Sequence, residues 1–89
     1  MKVIKFGAVW CPGCLVMKPR WQEIEQENPW LKTEFYDFDQ NKAEVEKYKI
    51  DNILPTFVFL DKDSNEFLRL NGEVDKEELI KIINENKDR

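Results

Sequence analysis

Val3-Ile4-Lys5-Phe6-Gly7-Ala8, followed after Val9 by Trp10-Cys11-Pro12-Gly13-Cys14, is the stretch on which the fold turns. The first part is a short apolar run with one lysine and predicts a strand. From Cys11 to about Glu27 the pattern predicts a helix, because Met17, Trp21 and Ile24 recur at i, i+4 and i+7 with charges opposite. Pro19 inside that helix removes a donor and is expected to kink it. Cysteines at i and i+3 on a first helical turn come within disulfide reach. Cys11 falls at the helix start, where unpaired amides and the helix dipole favour an anion. The thiolate is the nucleophile of disulfide exchange. Cys11 is therefore expected to be the exposed, attacking thiol and Cys14 the shielded one that resolves the mixed disulfide.

Outward from this junction, Thr33 to Phe38 predicts a second strand and Asn41 to Lys49 a short helix. Pro55 to Leu60 is the clearest strand, with Asp61 to Asn65 as a turn and Glu66 to Leu70 as its hairpin partner. Asp75 followed by Glu78 predicts a capping box opening a last helix through Leu79, Ile82 and Ile83. The order β-α-β-α-β-β-α predicts an α/β fold: a four-stranded mixed sheet flanked by three helices, as one domain over residues 1–89.

Composition narrows the chemistry. A formal charge of -4 with interspersed signs argues against a nucleic-acid partner. No apolar run approaches the ~20 residues of a membrane span. The N-terminal Met1-Lys2-Val3-Ile4-Lys5-Phe6 does not read as a signal peptide, so a reducing cytoplasm is the expected compartment. The chain has no histidine, which removes Cys-His and Ser-His nucleophile pairs. One CxxC pair without a second pair or a histidine cannot complete a zinc site in one chain, so no metal is expected. A structural disulfide is disfavoured in that compartment.

Trp10-Cys11-Pro12-Gly13-Cys14 resembles the active-site segment of the thioredoxin–glutaredoxin superfamily, with the thioredoxin Gly-Pro dipeptide reversed. Pro19, Asp39-Gln40-Asn41, Tyr48-Lys49-Ile50, Leu54-Pro55-Thr56 and Gly72 extend the resemblance over nearly the whole chain. It implies a minimal thioredoxin fold, opening on the strand that leads into the cysteines. It further implies a thiol–disulfide oxidoreductase that reduces protein disulfides, binds no cofactor and cycles through a Cys11–Cys14 disulfide. By resemblance, Pro55 is cis and lies against the cysteines, while the Leu54 backbone bonds a substrate strand. Trp10, Pro12, Gly13, Ile53 and Gly72 then line the docking surface, although Trp10 could instead be a core aromatic. The implied partners are disulfide-containing proteins and a flavoprotein thioredoxin reductase, with the chain itself a monomer.

Two departures stand out. Where thioredoxins carry a buried acid, this chain has Lys5. Strand alternation puts Lys5 on the face of Phe35 and Asp37, so a Lys5–Asp37 pair is expected beneath the thiols, favouring the thiolate. A lysine that merely snorkels to solvent is the plainer expectation. One extra residue between Tyr48 and Pro55 is expected to reshape the substrate groove. Two other functions fit less of the chain. One is a glutaredoxin-like enzyme using glutathione, suggested by the proline after Cys11 and by Gly72-Glu73-Val74-Asp75. The other is a carrier module bridging an iron–sulfur cluster through Cys11.

Overall fold

The computed structural model describes residues Met1–Arg89. Seven elements follow in order: β1 (Lys2–Gly7), α1 (Pro12–Glu27), β2 (Lys32–Asp37), α2 (Lys42–Lys47), β3 (Thr56–Leu60), β4 (Glu66–Asn71) and α3 (Lys76–Asn86). The sheet order is β2-β1-β3-β4. β1 and β2 are joined through α1 and run parallel, whereas β3 is antiparallel to both β1 and β4.

Position in the sheet explains the composition of each strand. Central β3 is buried along its full length, so it is apolar at nearly every residue. In β1 successive residues feed opposite layers. Val3 joins Met17, Trp21, Ile24, Phe57, Phe59, Leu79 and Ile83 beneath α1 and α3. Ile4 and Phe6 join Ile50, Val58 and Leu60, with Val45 and Tyr48 of the α2 region packed on them. Edge strand β2 has no fully buried residue, and its Phe35 is 58% exposed.

Pro19 lies inside α1, which continues through it to Glu27. Asp75 is the N-cap of α3, but its side chain makes no capping bond, so the expected capping box does not form. Only the Asp75 carbonyl contributes, accepting from the Leu79 amide. No helix is long and apolar enough to cross a membrane.

All four loops that matter lie at one end of the sheet. β1 and β2 end there, β3 begins there and β4 ends there, which brings residues 8–11, 38–41, 48–55 and 72–75 together.

Candidate active site

Cys11 is the N-cap of α1, with φ -98° and ψ 110°, and Pro12 occupies the first turn. That backbone ends the strand direction and leaves the first amides of the helix unpaired. The Cys14 amide fills the vacancy by donating to Cys11 Sγ at 3.2 Å. Both cysteines are free thiols.

Neither cysteine is an exposed residue. As a whole residue Cys11 is 4% exposed and Cys14 is half-buried. Capping draws Cys11 Sγ back over its own helix, while the Cys11 amide is tied to the Ala8 carbonyl at 3.2 Å. Cys14 instead points over β1. A Cβ placed on Gly7 would stand 3.1 Å from Cys14 Sγ and 3.2 Å from the Phe35 ring, so a side chain here would press on both. This packing desolvates the Cys14 thiol. Burial, followed by its hydrogen bond with Cys11, pushes its pKa up to about 12.

The remaining residues expected at the docking surface converge on this end. The Leu54–Pro55 peptide is cis. A Cβ on Gly13 would lie 3.1 Å from Pro55 Cδ and 3.5 Å from Glu73 Cγ, which places the proline ring against the first turn of α1. The Gly72 amide donates to the Pro55 carbonyl at 2.7 Å, from a residue at φ +83° that favours glycine. Trp10 is 54% exposed, which puts it on the rim and not in the core. Its Nε1 donates to Asp39 Oδ2 at 2.7 Å, and its ring meets Phe38 edge-on at 6.3 Å. Ile53 is 60% exposed, and Pro12 is exposed as well. The long loop before Pro55 is anchored by Arg69, whose guanidinium donates to the Tyr48 carbonyl at 2.6 Å and the Lys49 carbonyl at 3.3 Å.

The Lys5–Asp37 pair does not form. In the parallel register Lys5 stands beside Phe35, and Asp37 stands beside Gly7. Lys5 crosses the Trp21 ring, its Nζ 5.7 Å from the ring centre, and donates to Glu25 Oε2 at 2.7 Å. Its side chain is 16% exposed, so it does not snorkel free either. Asp37 turns to the start of α2, where its Oδ2 accepts from the amides of Asp39 and Gln40 at 2.9 Å each.

Sequence reasoning misses Glu25 as the partner of Lys5, and it names Asp39 only within the Asp39-Gln40-Asn41 resemblance, not as the partner of Trp10. Glu25 follows Trp21 by one helical turn, so it flanks the buried stripe of α1 and could have been found by that spacing. Asp39 had a weaker signal, its place just past the end of a strand parallel to β1.

Comparison with known proteins agrees with this geometry. The chain is 33% identical over 84 residues to thioredoxin of Chlamydia pneumoniae, covering 94% of this chain and 80% of that protein. It is 36% identical over 81 residues to the H-type thioredoxin of Fagopyrum esculentum, covering 91% and 67% respectively. The X-ray structure of Fasciola hepatica thioredoxin superposes with a TM-score of 0.84 at 32% identity, covering 96% of this chain and 79% of that one. The thioredoxin family description matches residues 1–85, and with a dithiol at a helix start against a cis proline the chain belongs to the thioredoxin family.

Proposed function

We propose that this chain reduces protein disulfides through a dithiol cycle in which Cys11 attacks and Cys14 resolves. The observation that carries this reading is Cys11 Sγ at the start of α1, accepting the Cys14 amide at 3.2 Å beside the cis Pro55. Thiol–disulfide oxidoreduction is the general activity of the family, and the roles of the two sulfurs are our reading.

In the first step the Cys11 thiolate attacks one sulfur of the substrate disulfide, and the other substrate sulfur leaves as a thiolate. The Cys14 thiol then gives up its proton and attacks Cys11 Sγ. The mixed disulfide breaks, the second substrate thiolate leaves, and a Cys11–Cys14 disulfide remains. Recessed Cys11 needs a substrate that reaches between Trp10, Pro12, Ile53 and Pro55, with the Leu54 backbone free to pair with an extended segment. Exposed Trp10 on that rim favours protein substrates, and the Cys11–Cys14 disulfide of the chain is returned to the dithiol state by a flavoprotein thioredoxin reductase in preference to glutathione. A reducing cytoplasm suits this direction of electron flow.

Insulin reduction tests the assignment. Cys11→Ser is expected to abolish turnover, and Cys14→Ser to accumulate a mixed disulfide with the substrate. Full glutathione-dependent turnover by Cys14→Ser would replace the dithiol cycle with a monothiol one.

A further inference from the structure

The loop between β4 and α3 borders the groove at Pro55, yet its own backbone does little to hold it. Gly72 donates to the Pro55 carbonyl at 2.7 Å from a left-handed backbone. Glu73 reaches over the first turn of α1, its Cγ 3.5 Å from where a Cβ on Gly13 would stand. Asp75 caps α3 without a side-chain bond. Neither strand pairing nor a capping box therefore fixes Val74, which lies between them.

Val74 is held from α1 instead. Its carbonyl accepts from Arg20 Nη1 at 3.0 Å, and its amide donates to Met17 Sδ at 3.4 Å. The same guanidinium nitrogen lies 3.6 Å from Met17 Sδ. Arg20 and Met17 are three residues apart on one face of the helix, so together they grip both backbone groups of one residue. Met17 is buried and Arg20 half-buried. A thioether is a weak acceptor, so the guanidinium supplies the stronger bond. Arg20 belongs to none of the ion pairs of the molecule, although acidic residues outnumber basic ones, 18 to 14. Its charge is committed to a backbone carbonyl.

We propose that Arg20 is a positioning residue for protein substrates: with Met17 it clamps Val74 to α1 and so keeps Gly72 and Glu73 in place beside the cis Pro55. The inference rests on the reading of Leu54 and Pro55 as the docking groove. A loop fixed before the substrate arrives need not be ordered during docking, and such ordering costs affinity. The sulfurs are held by other contacts, the Cys14 amide on Cys11 Sγ and the Ala8 carbonyl on the Cys11 amide. Loss of the clamp therefore weakens docking and leaves the exchange chemistry alone.

The test mixes reduced protein with excess insulin and follows formation of the Cys11–Cys14 disulfide against insulin concentration. Arg20→Ala is expected to raise the half-saturating concentration roughly fivefold to tenfold, as loss of one charge-assisted bond implies, with the limiting rate unchanged. Hydroxyethyl disulfide, too small to reach the loop, should oxidise variant and wild type alike. Arg20→Lys, which can still donate to the carbonyl, should recover most of the difference. Met17→Leu keeps the packing volume but removes the sulfur acceptor, and a rise of roughly twofold is expected. Amide exchange gives a reading apart from activity: the Gly72 amide should exchange roughly tenfold faster in Arg20→Ala, with the β3 amides unaltered. An unchanged half-saturation or Gly72 exchange rate, or equal slowing toward hydroxyethyl disulfide, overturns the clamp. A wild type that hydroxyethyl disulfide oxidises and insulin does not removes the docking reading as well; a wild type saturated by insulin, with Arg20→Ala indistinguishable from it, removes the inference alone.

Discussion

Lys5 Nζ lies 2.7 Å from Glu25 Oε2, and this pair spans β1 and the far half of α1 across the edge of the Trp21 ring. The lysine side chain is 16% exposed and the glutamate 33%, so the partners are unequally shielded. Removing the acid leaves a largely covered ammonium without its counter-charge. Removing the lysine leaves a carboxylate that water can reach. Glu25→Leu is therefore expected to cost more than Lys5→Met, about 1–2 kcal/mol against about 0–1. Urea denaturation of the two variants decides it, and equal losses would refute the asymmetry.

Gly7 is the second pressure point. Cys14 Sγ and Cβ and the Phe35 ring would all lie within 3.3 Å of a Cβ there, and the cysteine is held on the helix backbone. Gly7→Ala should cost about 1–3 kcal/mol from overpacking. It should also displace Cys14 and slow disulfide formation between the two cysteines. A variant with unchanged urea midpoint and oxidation rate would show that the sulfur yields more easily than the geometry implies.

Cys14 makes stability fall in alkali. Its pKa in the folded protein is pushed up to about 12 from an ordinary 9.0, chiefly by burial. Below the lower value both states hold the proton and stability is unaffected. Between the two the unfolded chain loses the proton while the folded one keeps it, so stability falls as pH rises through that window. Measured on reduced protein, the wild type should lose more stability between pH 9 and 11 than Cys14→Ala does. Parallel pH curves would mean that the thiol is not perturbed.

Gly72 should tolerate a methyl group in space but not in backbone. Nothing lies within 4 Å of the added Cβ, yet φ is +83°. Gly72→Ala is expected to cost about 1–2 kcal/mol from the left-handed conformation. Because the Gly72 amide holds the Pro55 carbonyl at 2.7 Å, reduction of a protein disulfide should also weaken, chiefly through KM. A stability loss with unaltered KM would place Gly72 outside the docking surface.

The sequence by itself determined the element order, the central strand and the position of the dithiol. These follow from local patterns: the apolar run at Thr56–Leu60, the helical recurrence of Met17, Trp21 and Ile24, and two cysteines at a strand-to-helix junction. Alternation also put Lys5 on the correct face, with Phe35 and Asp37 on the neighbouring strand. Only the tertiary structure decided which side chain meets it. The parallel register sets Lys5 beside Phe35, and the antiparallel course of α1 over β1 brings Glu25 within reach. The surroundings of the Cys11 and Cys14 sulfurs were decided in the same way. A helix start specifies where the first sulfur sits, but the amide that donates to it and the glycine beneath the second sulfur are set by the packed structure. Periodicity assigns a residue to a face; the partner on that face comes from another segment of chain, placed by packing that no local pattern encodes.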